Sequence, residues 1–323
     1  MNKKSFVAFC LKIALLFVIL CAVDRVVGFA FVTMKNVGLN RNPGNMWLKT
    51  AYIVERVKTD VVIIGSSKAT HNYISDSLSE YLHMSVYNCG QDGCFFLYQN
   101  CILNMILDRY QPKTILWDVQ PNSFTKSTEA GEYQNTRYLT PYYHNSEWAH
   151  CYINSESVKM SIRMMSYMYG YNSKLLNYMF PLLTHTSATQ HGYTPLSSDG
   201  KNYPIMVHEP ESDKGQVFHP YLVMLDETLK RCRKGNVNIQ LYISPDYSVK
   251  NNLTRQAESA IKNVAKRNNV RCFDYHSDIS FMRDSTLFKD SGHLNEKGAR
   301  IFTKMVILTT RNQEPLKMRS NGD

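Results

Sequence analysis

The chain has 323 residues, 44% of them hydrophobic and 12% aromatic, which is enough apolar material for a sizeable core and too much for a disordered chain. Its formal charge of +10 is spread along the sequence and not gathered on one helix or arm. That distribution speaks against a nucleic-acid partner and suits a basic surface in an anionic setting such as the cell envelope.

Lys3 and Lys4 precede an apolar run from Phe6 to Val23 that only Lys12 interrupts. A helix needs about 20 mainly apolar residues to cross the hydrocarbon core, and the stem of Lys12 is long enough to reach toward the headgroups. Residues 1–35 therefore read as a single-pass anchor in the cytoplasmic (inner) membrane, with the amino terminus inside and the bulk of the chain extracytoplasmic. A cleaved signal peptide is the rival reading. No small-x-small site follows the run, and Asp24-Arg25 leads into a second apolar stretch, Val26 to Val32, so the uncleaved anchor is favoured. Leu20, directly before Cys21, is too large for a lipid-attachment site. Outside the anchor lie Cys89, Cys94, Cys101, Cys151, Cys232 and Cys272, for which disulfides and buried free thiols are both open, including a bridge between Cys89 and Cys94.

Residues 36–59 read as a linker leading into a regular α/β domain over 60–313, and 314–323 as a polar tail. Val61 to Ile64 is a continuous apolar run of strand length, the mark of a parallel strand covered on both faces. A helix over Ser75 to Leu82, the strand "MSVYNCG", a helix from about Phe95 to Arg109 and the strand "TILWDV" follow. The alternation lapses over 123–218, which is rich in Tyr, Ser, Asn and Met. It reads as an insertion containing one helix, "SESVKMSIRMMSYMYG". The alternation resumes with a helix at Pro220 to Arg233, the strand "VNIQLYIS", a helix from Thr254 to Arg267, the strand "VRCFDY" and a final amphipathic helix after "DSGHLNEKG". Alternating strands and helices joined by short connections predict a doubly wound, five-stranded parallel sheet of flavodoxin-like type with flanking helices.

Ligands of such sheets bind beyond the carboxyl ends of the strands. The first strand ends in Gly65-Ser66-Ser67 and the second in Asn88-Cys89-Gly90-Gln91-Asp92-Gly93. The third ends in Asp118-Val119-Gln120-Pro121-Asn122, and the loop before the last helix carries Asp290-Ser291-Gly292-His293. A serine hydroxyl becomes a nucleophile when a base takes its proton, and the base needs an acceptor that holds its tautomer. Asp290 and His293, three residues apart on one turn, form such a pair, with Gly292 expected to let the backbone turn tightly. An oxyanion formed in acyl transfer needs fixed donors, for which the N–H at the start of the first helix, the N–H of Gly90 and the side chain of Asn122 are candidates. His71, four residues after Ser67, is a rival base; its plain alternative is a surface residue. The ten histidines show no ligand-like spacing, so no metal and no cofactor is expected.

Gly-x-Ser after the first strand, Asn-x-Gly-x-x-Gly after the second and Asp-x-x-His before the last helix, in this order, resemble the blocks of the SGNH/GDSL hydrolase superfamily. The resemblance covers about residues 60–122 and 237–310. It implies Ser67 as nucleophile, Asp290 and His293 as acid and base, and Gly90 as backbone oxyanion donor. The family's third block, Gly-x-Asn-Asp, is absent in that form, and Asn122 in "WDVQPNSF" stands in for it. The Gly-Ser-Ser variant joined to an amino-terminal anchor is similar to the membrane-linked branch that includes D-alanine transfer and alginate O-acetylation proteins. What this implies is an esterase or O-acyltransferase acting on ester-linked acyl groups, acetyl foremost, of an envelope polysaccharide, with a membrane-embedded acyl donor protein as a partner beside the bilayer itself. The other reading is a non-catalytic scaffold or glycan-binding protein of an envelope assembly system.

Overall fold

The computed structural model describes residues 3–42, 45, 48–125, 137–171, 174–183, 191–197, 206–207 and 215–311. In chain order these form α1 (Lys3–Arg41), α2 (Lys49–Glu55), β1 (Val61–Ile64), α3 (Ser67–Asn72), α4 (Ser75–Leu82), β2 (Val86–Asn88), α5 (Phe96–Arg109) and β3 (Thr114–Asp118). A one-turn 3-10 segment (Pro121–Phe124) leads to the short helices α6 (Glu147–Glu156), α7 (Val158–Arg163), α8 (Tyr167–Gly170) and α9 (Leu175–Leu183). Then come α10 (His219–Lys234), β4 (Asn238–Ile243), α11 (Asn252–Arg267), β5 (Arg271–Asp274), α12 (Ile279–Met282) and α13 (Glu296–Arg311). The described residues of Met1–Tyr52 and Gln134–Ala188 form one compact unit, and those of Ile53–Tyr133 and Thr189–Asp323 a second.

The second unit is built on a five-stranded sheet of order β2-β1-β3-β4-β5, parallel throughout. β1 lies between β2 and β3, with Val61 opposite both Val86 and Thr114. This is the flavodoxin-like order that the sequence predicts. Both faces are dry. On one, Val61, Ile63, Leu116 and Tyr242 pack with Tyr73, Leu78, Phe302 and Val306. On the other, Trp117 stacks on Phe96 of α5 at 5.8 Å, and Phe96 meets Tyr221 of α10 at 5.2 Å. The one polar atom of that indole is satisfied by a bond from Nε1 to Gln99 Oε1 of 2.9 Å. Each such buried side chain contributes about 1.5–3 kcal/mol, which is why the apolar runs of β1 and β3 settle at the centre of the sheet. The chain moves from β1 outward to β2 and then back across to β3, so the crevice between the ends of β1 and β3 is the switch point.

In the first unit, the second half of α1 is covered by α8 and α9. Gly28 lets Tyr167 approach so closely that a Cβ there would lie 2.9 Å from the Tyr167 Cβ, and Phe31 stacks on Tyr171 with ring centroids 5.4 Å apart. α1 is long and apolar enough to cross a membrane, and its most apolar stretch is wholly unburied.

Three expectations are revised. The single helix expected over 155–170 is broken into the last residues of α6, then α7 and α8. Ser157 and Ser166 sit at helix starts, where their side chains accept the N–H groups of Met160 and Tyr169. A serine in that position favours capping over continuation, and helical periodicity alone does not register it. The helix of the anchor runs past residue 35 to Arg41, and much of the expected linker is helical. The stretch 123–218 is not one block, since its described residues are shared between the two units, and Met206–Val207 pairs with Ser248–Val249 in a small parallel ladder. All eight cysteines are free thiols, Cys89 and Cys94 among them. The expected polar tail lies outside the described residues.

Gly65 closes β1 where no side chain fits: a Cβ would lie 2.5 Å from the Ala69 Cβ and 3.0 Å from the Asp118 Cβ. Gly65→Ala is expected to cost about 1–3 kcal/mol by overpacking. Urea unfolding of the detergent-solubilised protein checks this; a midpoint equal to that of the wild type would mean that α3 yields at no cost.

Candidate active site

The site is assembled from the turn after β1 and the loop before α13. At Gly65 the chain leaves the sheet, and α3 begins two residues later. Ser66 stands at the helix start but makes no capping bond; its Oγ is buried without a hydrogen-bond partner. Ser67 points the other way. Its Oγ lies 2.7 Å from His293 Nε2, 226 residues along the chain. His293 Nδ1 is in turn 2.9 and 3.0 Å from the two carboxylate oxygens of Asp290. With Nδ1–H donated to Asp290, the neutral imidazole has its lone pair on Nε2, facing the serine hydroxyl. Asp290 Oδ1 also accepts the backbone N–H groups of Gly292 and His293, each at 2.9 Å. This carboxylate clamp, and not backbone freedom at Gly292, makes the turn, since Gly292 is not among the glycines in the left-handed region. The His293 side chain is 29% exposed and that of Asp290 53%, so the base and its partner are open to solvent.

The two halves are fastened to each other below the reacting groups. Asn72, the last residue of α3, accepts the Leu294 N–H through Oδ1 at 3.3 Å and the Thr303 hydroxyl through its carbonyl at 3.2 Å. The loop itself is stiffened by an antiparallel bridge between Phe288 and Leu294 and by Asn295, whose amide donates to Thr286 and Phe288 carbonyls.

The expected oxyanion donors fare differently. The Gly90 N–H is donated to Asn88 Oδ1 at 2.9 Å, so it serves the strand end and not the open side of the site. Asn88 Nδ2 in turn donates to the carbonyls of Ala69 and Tyr73. Gly90 is needed for contact, because a Cβ there would lie 2.5 Å from Thr70 N. This corrects the assignment of Gly90. The motif contained no sign that its own asparagine would claim the amide. Asn122 is the exposed residue of an otherwise buried 3-10 turn after β3, with its carbonyl accepting from Thr125. His71 is not a surface residue. It is buried, its Nδ1 is 2.7 Å from the Thr194 carbonyl and its Nε2 3.3 Å from Asp92 Oδ2, so neither nitrogen is turned to Ser67. Its ring packs edge-on against that of His293 at 5.8 Å and backs the base.

A layer of buried polar groups that the sequence did not announce lies under the nucleophile turn. Lys68, next to Ser67, pairs with Asp246 at 2.6 Å. Burial alone would raise the Asp246 carboxyl, but the Lys68 ammonium overrides it and holds the group at about 2. Burial and the same ammonium push His276 down to about 4; its Nε2 is 3.3 Å from the Ser248 carbonyl. Asp118, at the end of β3, accepts hydrogen bonds from Tyr73 and from Ser244, while its other oxygen is buried without a partner. Burial pushes this carboxyl upward.

No family model and no curated protein matches the sequence. Among solved structures, the chain is similar to the psychrotrophic esterase EstA from Pseudoalteromonas sp., with 10% identity and a TM-score of 0.41 over 78% of this chain and 96% of that one. It is similar to a protein of the G-D-S-L family from Desulfitobacterium hafniense DCB-2, described as lipolytic, with 10% identity and a TM-score of 0.42 over 78% and 99%. A family two carbohydrate esterase from Clostridium thermocellum, in complex with cellohexaose, matches with 8% identity and a TM-score of 0.40 over 78% of this chain and 63% of that one. At such scores the chemistry has to be read from the residues of this chain.

The depressed His276 has a consequence for stability. Above the ordinary value of 6.5 the ring is neutral folded or unfolded, and its contribution is fully present; between 6.5 and about 4 only the unfolded chain takes up the proton, and the contribution is lost as pH falls. The span corresponds to about 3 kcal/mol. Asp246 adds a loss of the same sign at lower pH, between 3.8 and about 2. Melting temperature should therefore fall between pH 6.5 and 4, and fall less in His276→Gln; superimposable profiles would show that His276 takes no part.

Proposed function

We propose that this chain is a membrane-anchored, extracytoplasmic serine esterase or O-acyltransferase of SGNH type, acting on ester-linked acyl groups, acetyl foremost, of cell-envelope glycans. The observation that carries the reading is the unbroken hydrogen-bonded series Ser67 Oγ, His293 Nε2, His293 Nδ1 and Asp290. A serine bonded to a histidine that is bonded to a carboxylate is the constellation that turns a weak nucleophile into an effective one, whatever the fold.

In this mechanism Ser67 Oγ attacks the acyl carbonyl carbon while His293 Nε2 takes the hydroxyl proton. Asp290 holds the ring in the required tautomer and stabilises the imidazolium. The tetrahedral intermediate collapses, the carbon–oxygen bond to the leaving alcohol breaks, and His293 returns the proton to that alcohol. An acyl-serine remains. A water molecule or a sugar hydroxyl then attacks the acyl-serine, giving up its proton to His293, and the proton passes back to Ser67 as the ester bond to the enzyme breaks. Hydrolysis and transfer differ only in this acceptor, and a membrane-embedded donor protein would supply the acyl group in the second case. In this reading the peptide N–H at the start of α3 and the side chain of Asn122 supply the donors for the developing oxyanion. A site whose base and acid are open to solvent fits an ester displayed on a bulky polymer better than a small enclosed substrate. The bare first half of α1 supports the anchor.

The test uses full-length protein in detergent micelles, with a fluorophosphonate probe and p-nitrophenyl acetate. Wild type is expected to label at Ser67 and to turn over. Ser67→Ala should abolish labelling, Ser67→Ala and His293→Ala should each lower kcat by at least about 10³-fold, and Asp290→Asn should retain more activity because its carboxylate is half solvated. Labelling or turnover independent of Ser67 would overturn the assignment; an inert wild type would leave the scaffold or glycan-binding reading.

A further inference from the structure

We propose that the first unit touches the membrane twice: α1 crosses the bilayer, and the exposed apolar residues of α7, α8 and the link between them, with Val26 and Phe29 of α1, lie in the outer leaflet beside it. This rests on the reading of α1 as a retained anchor and adds to it a lipid-facing surface formed by residues far away in sequence.

The argument begins at Asp24. This carboxylate, the one acidic group of α1, accepts hydrogen bonds from Ser166 Oγ and from the N–H groups of Tyr167 and Met168 at 2.9 and 3.0 Å. It thereby caps α8, and the neighbouring Arg25 guanidinium lies 3.9 Å from the centroid of the Tyr167 ring. Both charges are thus matched inside the unit, and α8 is tied to α1 at one defined height. Residues 3–23, at 1.5 Å each, span roughly the 30 Å of a hydrocarbon core, so Asp24 emerges at its outer boundary. α8 is held there with it, and α7 directly precedes α8.

What these helices leave uncovered is apolar. Ile162, Met165 and Met168 are 63%, 72% and 48% exposed, and on α1 Val26 and Phe29 are 69% and 73% exposed. A water-facing monomer rarely leaves so many large apolar side chains bare at one height. The polar surroundings fit a headgroup layer. Lys159 and Arg163 are exposed on α7, beside Tyr167 and Tyr169 of α8, the basic and aromatic composition of interfacial helices. Lipid is favoured over a second protein chain because the patch continues from the bare span of α1 and its tether fixes it at the membrane surface.

The experiment places the full-length protein in phosphatidylethanolamine–phosphatidylglycerol vesicles with bromine on the upper acyl chain. Trp is introduced singly by Ile162→Trp, Met165→Trp and, within the span, Leu16→Trp, and emission is read as the difference from wild type. The expected depth is about 5–10 Å into the headgroup–acyl boundary, so the emission added at 162 and 165 should be blue-shifted and lose roughly half its intensity to brominated lipid, with little quenching by acrylamide. Emission at 162 and 165 that acrylamide quenches and brominated lipid does not would overturn the proposal, as would emission shielded from both reagents, which would mean a second copy of the chain on the patch. Leu16→Trp separates the two levels: quenched by lipid while 162 and 165 are not, it sinks only the second contact; unquenched, it sinks the anchor itself.

Discussion

The junction of α3 with the loop before α13 is the constraint on which the rest of the site depends. Asn72 accepts from Leu294 and Thr303, and this joins the start of the domain to its end. With the backbone joined there, Ser67 and His293 meet at 2.7 Å without any long side chain having to search for its partner. Closing a loop of this length has an entropic cost that grows only slowly with the number of residues, and the dry faces of the sheet meet it. The fastening thus lies in buried contacts and not in the partly exposed Ser67, His293 and Asp290 series.

Three carboxylates around the turn carry the same chemical group into three environments. Asp246 has a cation against it and stays ionised in spite of burial. Asp118 has only hydroxyl donors, and burial raises its carboxyl. Asp290 is half exposed and holds two backbone N–H groups as well as His293. Only the last is half exposed and held in a fixed direction toward an imidazole. Lys68 and Asp246 instead form a buried pair beside Ser67. Removing either partner would leave an uncompensated charge, so the pair couples the integrity of the turn to the loops after β4 and β5.

The same economy of polar groups governs the first unit. Asp24 in an apolar helix would be costly alone, and the fold uses it as the cap that orders α8. Gly28 then allows the ring of Tyr167 to lie against the helix backbone.

Much of this was legible in the primary structure. A run apolar on both faces marked β1, because a covered parallel strand can bury it. The order of Gly-x-Ser and Asp-x-x-His singled out Ser67, Asp290 and His293, and the fold brings these three side chains together. What was not legible depended on competition for hydrogen bonds. Gly90 carries the right amide in the right loop, but Asn88 takes it. His71 has the right spacing to be a base, but Thr194 and Asp92 claim both nitrogens. A run with helical period became three pieces because Ser157 and Ser166 found N–H groups to cap. Local pattern thus determined the types of the elements, the polarity of the sheet and the chemistry available at its rim. Which donor meets which acceptor was decided only by tertiary structure, because a hydrogen bond is settled within a few tenths of an ångström by groups that the sequence leaves hundreds of residues apart.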